Sequence, residues 1–364
     1  MQGVGWRIGH IGSIDVHVDP SFAIIALLFT SNLWVVYADP TRFPGIGAGS
    51  AVALAVLAAV LFFASILGHE LAHAGMSRLR GIEVLGIVLY MFGGATYARM
   101  DDRGPGDEFL TTVVGPIASA VIGGAFLLLH GSGALPGPID VTFDYLGRLN
   151  LALAVFNVLP AFPLDGGRLV RSGLWKLTGS LGTATTISAR IGQGFGLALI
   201  ALAIVEAGLR QNYDWLWSGL IGFMIFQAAA GAIRDGRRRR VLETTQVREL
   251  MSPPPPAVPG DMTVGEALER FLIGHEREAF PVMEHGSLIG FVSLTTAGDA
   301  TPERPVREAM VRPDAAVVAG PDDPMSSVMQ RLSESGGTVV VVIDGGRLVG
   351  VVEDTDYDRL LRRR

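Results

Sequence analysis

The chain has 364 residues, 49% of them apolar and only 18% charged, where a soluble globular domain carries about a quarter charged residues. With a net charge of −6, this balance argues against one large soluble core and against a nucleic-acid partner, because the basic run Arg237 to Arg240 directly follows an apolar stretch and reads first as a topology signal. Cysteine is absent, so disulfides and thiolate metal ligands are excluded. Charges are sparse up to Ile233 and dense from Arg234 onward. This divides the chain into a membrane part (1–233), a basic linker (234–246) and a soluble remainder.

Residues 1 to 19 carry Asp15 and Asp19 without a short apolar core or a small-residue cleavage site, so insertion is expected through the chain's own helices. Six stretches are long and apolar enough to cross a bilayer of about 30 Å: 20–38, 50–77, 109–131, 146–177, 185–208 and 213–233. The second carries His69, Glu70 and His73 in an otherwise apolar run. The fourth is interrupted by Pro160, Pro163 and Asp165-Gly166-Gly167. Ionisable groups and broken backbone at membrane depth belong against protein or a water-filled cavity and point to function. Lys and Arg cluster at one set of loop ends (Arg78, Arg80, Arg99, Arg103, Arg171, Lys176, Arg234 and Arg237 to Arg240), against Arg42, Arg148 and Arg210 at the other. Both termini are therefore expected on the cytoplasmic side of the cell membrane.

Between the second and third spans, Ile82 to Met100 is β-branched and aromatic and broken at Gly93-Gly94. The pattern predicts a re-entrant β-hairpin near the cytoplasmic face, with an amphipathic loop as the alternative. From Val247 the chain repeats itself. Val247-Arg-Glu-Leu-Met251 recurs as Val306-Arg-Glu-Ala-Met310, each followed by a proline-containing turn, an amphipathic helix (Val264 to Leu272; Met325 to Leu332) and a strand–turn–strand. The turns His285 to Gly290 and Gly345 to Gly350 match as well. A period of about 60 residues exceeds a solenoid unit and implies two small α/β modules, 247–305 and 306–364, packed as a pair.

His69-Glu70-Leu71-Ala72-His73 is HExxH on a predicted helix. The i, i+4 spacing stacks both imidazoles on one face, with the intervening glutamate close enough to take a proton from a metal-activated water. An accidental HExxH is common in soluble helices, but two histidines and a glutamate buried in a membrane helix without a metal would be costly. A catalytic zinc takes three protein ligands. Asp165, the only carboxylate in the fourth span's broken segment, is the candidate third ligand; a helix N-cap or a partner for Arg168 are the plainer readings.

HExxH in the second span, Asn157 through Pro160, Pro163 and Leu164 to Asp165-Gly166-Gly167 in the fourth, and six spans together resemble the site-2 protease family of intramembrane metalloproteases, in its subgroup with a C-terminal pair of CBS modules. The resemblance implies one Zn(2+) per chain held by His69, His73 and Asp165, with Glu70 as general base and Asn157 steadying the oxyanion. A side-chain amide aimed at developing charge also has a physical rationale. It further implies that the hairpin around Gly93 and Gly94 pairs with an unwound substrate segment. The third span of such proteins often begins Gly-Pro with an asparagine soon after; here Gly115-Pro116 is followed by Ser119. His17 lies in a stretch similar to the family's N-terminal one, where a surface role is expected. The tail resembles tandem CBS modules that bind adenine nucleotides such as ATP or AMP, with Asp356 placed for the ribose and Thr296 at the corresponding position of the first module. The expected substrates are single-pass or tethered membrane proteins of the anti-sigma-factor or pro-transcription-factor class, cut in the bilayer. Homodimerisation through the CBS modules stays open. The competing reading is a transporter or channel gated by the CBS pair, which would have no need of a base between two ligands.

Overall fold

A computed structural model describes residues 5–91, 93–99, 104–273, 279–285, 287–312, 317–335, 339–345, 347–353 and 356. Met100 and Arg103 of the segment before the third span, and Gly286 and Gly346 of the two repeat turns, lie outside the described residues. The chain forms two compact units, 1–234 and 235–364.

The first unit opens with strands β1 (Trp6–Ile11) and β2 (Ile14–Val18), then helices α1 (Ser21–Ala38) and α2 (Ala48–Leu79). Strands β3 (Val84–Tyr90) and β4 (Gly93–Ala98) follow, then helices α3 (Pro105–Gly131), α4 (Gly137–Val158), α5 (Asp165–Thr178) and α6 (Leu181–Leu209). Helix α7 (Leu216–Thr244) is entered through a 3-10 turn at Tyr213–Trp215 and runs past the unit's end. The hairpin segment is part of a four-stranded sheet ordered β1-β2-β3-β4, in which β2 pairs parallel with β3 and β4 is an edge. The β3–β4 pair is antiparallel, from Val84↔Ala98 to Tyr90↔Gly93. Ile14, Ile87 and Leu89 of the sheet pack with Ala74 of α2, which seats the sheet on the HExxH helix.

Among the described residues, five helical segments are long and apolar enough to cross a membrane: α1, α2, α3, α6 and Tyr213–Thr244. The fourth expected span, 146–177, is interrupted at the prolines. It is two helices, α4 and α5, joined through 159–164, and α4 begins earlier, at Gly137, and carries Asp140, Asp144 and Arg148. Prolines at 160 and 163 remove backbone donors from the middle of the segment, so a continuous hydrogen-bond ladder cannot form. Helix α2, at 32 residues, is about 48 Å long and exceeds the hydrocarbon thickness. Helix α3 starts with Pro105 at its first position and Asp107 and Glu108 in its first turn, a favourable placement of carboxylates at a positive helix end. Close helix contacts run through glycine: a Cβ on Gly123 would lie 2.8 Å from the Gly147 carbonyl oxygen, and one on Gly196 would lie 2.5 Å from that of Gly222. With lipid on the outside, such small-residue seams provide the packing that apolar bulk alone cannot.

The second unit holds α8 (Val247–Leu250), β5 (Val258–Pro259), α9 (Val264–Ala267, continued as a π turn to Leu272), β6 (Ala279–Glu284), β7 (Ser287–Ser293) and α10 (Leu294–Gly298). The second copy follows as α11 (Val306–Ala309), β8 (Val317–Ala319), α12 (Met325–Ser335), β9 (Val339–Asp344) and β10 (Arg347–Glu353). Each copy builds a three-stranded sheet, β5-β6-β7 and β8-β9-β10, with one parallel and one antiparallel pairing. The packing crosses the sequence boundary of the repeats. Val247 and Leu250 of the first copy sit in the core of the second with Met325, Val340 and Val352, while Val306 of the second sits with Val258, Phe280 and Val292 of the first. Backbone bridges repeat the exchange: Ser252 pairs with Val351 and Val311 with Phe291.

Candidate active site

Helix α2 brings His69 and His73 together on one face, ring centroids 4.8 Å apart and nearly perpendicular. Their Nε2 atoms are 3.1 Å apart, and Asp165 Oδ2 lies 3.2 Å from the first and 3.3 Å from the second. All three side chains are buried, as is Glu70. His73 Nδ1 is 2.7 Å from the Thr111 carbonyl oxygen. A carbonyl can only accept, so Nδ1 carries the proton and Nε2 of the neutral ring keeps its lone pair. His69 Nδ1 is likewise engaged, 2.9 Å from Ser119 Oγ. Three Lewis bases therefore converge with little to separate them, an arrangement that is repulsive alone and complementary to a cation. Two imidazoles and a carboxylate, each imidazole oriented through its far nitrogen, fit a catalytic zinc site. This trio is also the group of metal-ligating side chains found among the described residues.

The third helix makes room for the imidazoles. A Cβ on Gly115 would fall 2.2 Å from His73 Nε2 and 2.7 Å from His69 Nε2. Thr111, Gly115 and Ser119 thus form one stripe of α3 at four-residue spacing, laid along the HExxH face.

Asp165 is the first residue of α5, after the 159–164 segment with its cis Phe162-Pro163 bond. Gly166 and Gly167 lie against backbone: their Cβ atoms would be 2.2 Å from the Leu159 carbonyl oxygen and 2.4 Å from the Phe162 nitrogen. Any larger residue at either position would push Asp165 away from α2. The helix is further held by Glu108 of α3, itself 1% exposed, which is paired with Arg171; the Arg171 guanidinium also covers the Phe162 ring at 5.3 Å. Arg168 points to the same carboxylate, its Nε 4.0 Å from Glu108 Oε1.

These groups open onto a cavity of about 660 Å³ lined by His69, Glu70, His73, Asn157, Asp165 and residues of β4. Gly93, Gly94 and Thr96 line it from the sheet side, and Phe22, Phe63 and Met224 add apolar wall. Thr96 Oγ1 donates to Glu70 Oε2 at 2.7 Å and reaches the Glu70 carbonyl oxygen at 3.1 Å. Glu70, Asn157, Gly93 and Gly94 are thus brought to the cavity that holds the two histidines and Asp165. Asp356 lies in the second unit, buried, and accepts a hydrogen bond from Ser252 Oγ at 2.8 Å. Its counterpart Thr296 is turned back on its own helix start, its hydroxyl accepting from the Ser293 nitrogen at 2.9 Å.

Sequence reasoning missed Thr96, Thr111, Gly115 and Glu108 as site-shaping residues. Arg171 carried a signal, as an ionisable group within an expected span, whereas Glu108 lies just outside the expected third span among other charges. The others act by contacts between elements that local pattern does not reveal.

Residues 135–201 match the profile of Peptidase family M50, and residues 247–297 and 306–363 each match the CBS domain. A candidate zinc metalloprotease of Mycobacterium tuberculosis, Rip3, is 31% identical over 97% of this chain and 92% of its own length. Another, of Synechocystis, is 28% identical over 98% and 95%. The solved Site-2 Protease from Methanocaldococcus jannaschii aligns over 63% of this chain and 94% of that chain at 23% identity, with a TM-score of 0.45. With its multiple apolar helices, its buried His-His-Asp trio and its C-terminal CBS pair, the chain belongs to the site-2 protease family of membrane zinc metalloproteases, peptidase family M50.

Proposed function

We propose that this protease holds one zinc ion through His69, His73 and Asp165 and cuts the transmembrane or juxtamembrane segment of single-pass or tethered membrane regulators. The observation that carries the reading is the convergence of the three donors in a cavity that also contains Glu70 and is walled by the edge strand β4. When bound, zinc supplies Lewis-acid polarisation of the scissile carbonyl and of the attacking water. Glu70 takes the proton from that water and can pass it to the leaving amine. Asn157, on the cavity wall, offers its amide to the oxygen that gains charge. A helical substrate hides its carbonyls in its own hydrogen bonds, so the segment must unwind; the free edge of β4 around Gly93 and Gly94 can take it as an added strand.

The metal assignment is tested by elemental analysis of purified protein, with about one zinc per chain expected for intact protein. Asp165→Ala should weaken zinc retention while leaving the helices folded. Full occupancy and unchanged affinity in that variant would remove Asp165 from the ligand set. The substrate class is tested by co-expression with candidate membrane-tethered regulators, where intact protein should shorten its regulator.

The arginine bias, Arg78, Arg80 and Arg99 with Arg234 and the 237–240 run on one set of ends, supports cytoplasmic termini. For the tail, the contrast between buried Asp356 held by Ser252 and self-capped Thr296 supports a single adenine-nucleotide site. A nucleotide there alters proteolysis only through unequal affinity for two states of the protein. ATP or AMP should bind the intact protein measurably by calorimetry, and Asp356→Ala should weaken that binding without lowering zinc content. No heat with either nucleotide would leave the tail as a structural or partner-docking module.

A further inference from the structure

Strand β4 touches the candidate base directly. Thr96, in the middle of β4, gives its hydroxyl proton to Glu70 Oε2 at 2.7 Å, with the Glu70 carbonyl oxygen 3.1 Å away. Two residues earlier on the same strand, a Cβ on Gly94 would meet Glu70 Cγ at 2.4 Å and Oε1 at 3.0 Å. The glycine backbone therefore lies in contact with the stem of the glutamate side chain, and the threonine hydroxyl pins its head. Glutamate has three rotatable bonds, and α2 alone fixes none of them. Within the cavity, β4 supplies the grip.

We propose that Thr96 is a positioning residue for Glu70, and that β4 thereby couples capture of the substrate strand to the placement of the general base. The inference rests on the reading of Glu70 as base and of β4 as the strand that receives substrate. Among the described residues, β4 pairs with β3 alone, which leaves its other edge unpaired. It begins with two consecutive glycines, which leave its first residues with more backbone freedom than a β-branched strand would have. A substrate segment pairing along the open edge restrains β4, and with it the hydroxyl that aims the carboxylate. Uncaptured peptide would meet a base held less firmly, which favours cleavage of segments long enough to form a strand. Binding energy from residues away from the scissile bond is then converted into catalytic alignment.

The test uses full-length protein reconstituted with one single-span substrate, and compares Thr96→Val, Thr96→Ser and Glu70→Gln. Valine is nearly isosteric with threonine and suits a strand, so the sheet should persist. A hydrogen bond to a charged group carries about 1.5–3 kcal/mol, so kcat should fall roughly 10- to 100-fold in Thr96→Val. KM should stay within about twofold and zinc per chain should match intact protein, because neither the strand edge nor the ligands have changed. Thr96→Ser keeps the donor and should recover most of kcat. Gly94→Ala, which pushes on Glu70 from the other side, should lower kcat with zinc retained. An unchanged kcat in Thr96→Val beside an inactive Glu70→Gln would overturn the positioning role and leave the base assignment standing. A Glu70→Gln protein that cleaves at the native rate would overturn the base assignment itself. Loss of zinc, or failure of serine to rescue, would make Thr96 a packing residue only.

Discussion

Exchanging Glu70 for glutamine should abolish cleavage while leaving the metal in place. Glutamine has the size of glutamate and can still accept from Thr96 through its amide oxygen, so the grip of β4 on this side chain survives. What it lacks is basicity. A positioned general base typically contributes 10²- to 10⁴-fold, and a drop in kcat of about that size is expected. Glu70 is not among the three side chains that converge on one point, so zinc per chain should equal that of intact protein. Measured together, substrate shortening in membranes and elemental analysis separate this outcome from unfolding. Native-rate cleavage would exclude Glu70 as the base.

Gly115→Ala should have the opposite signature, a loss of metal that precedes any effect on chemistry. The added methyl would stand 2.2 Å from His73 Nε2 and 2.7 Å from His69 Nε2, the two lone pairs that face Asp165. Carbon cannot remain at those distances, so the imidazoles or α3 must shift. The rings are also tied to α3 through Thr111 and Ser119, so a shift of the helix displaces their partners as well. Loss of outer partners alone typically lowers metal affinity 10- to 100-fold, and steric intrusion between the ligands should exceed that. Alanine suits a helix better than glycine, so helicity by circular dichroism should be unchanged. Zinc affinity within a few fold of the intact protein would mean that α3 can move aside freely.

The contrast between these residues explains how much the sequence disclosed. HExxH is a helical spacing written into consecutive residues, and Asp165 stands out as a carboxylate beside prolines and glycines in an apolar span. Both are local signals. Gly115 showed only as part of a Gly-Pro resemblance: its contact with the ligands arises because α3 crosses the imidazole face of α2, and one strand of sequence does not encode where another helix passes. The sheet was half legible. The β3–β4 segment announced itself through β-branched residues around Gly93-Gly94, but β1 and β2 lie in a stretch that reads only as mixed polar, with Asp15 and Asp19. Their turn at Gly12, with φ of 62°, was the available sign of a hairpin. In the fourth span the break was legible, because Pro160 and Pro163 deny the backbone its donors, but the bounds of the two helices either side were not, since apolar content runs on through Leu159–Leu164. In the tail, similarity between Val247 to Met251 and Val306 to Met310 revealed two copies. Periodicity says that a motif recurs, and says nothing about which copy it packs on.

That last point bears on how the tail comes into being. The first helix begun after α7 ends at Thr244 carries Val247 and Leu250, whose apolar partners include Val340 and Val352. Ser252 and Asp356 are 104 positions apart in the chain. At synthesis rates of about 5–20 residues per second, the early helix waits roughly 5–20 s for its seat to be made. The membrane helices can already be inserted by then, while the tail stays incomplete until its closing strand, β10, has been made. Two short copies that each look like a quick local folder are, through this exchange, one slow unit with long-range closure. A premature stop between α12 and β10 would leave the apolar faces of α8 and α12 without the Val352 strand that completes their core, at the end of an otherwise finished membrane protein.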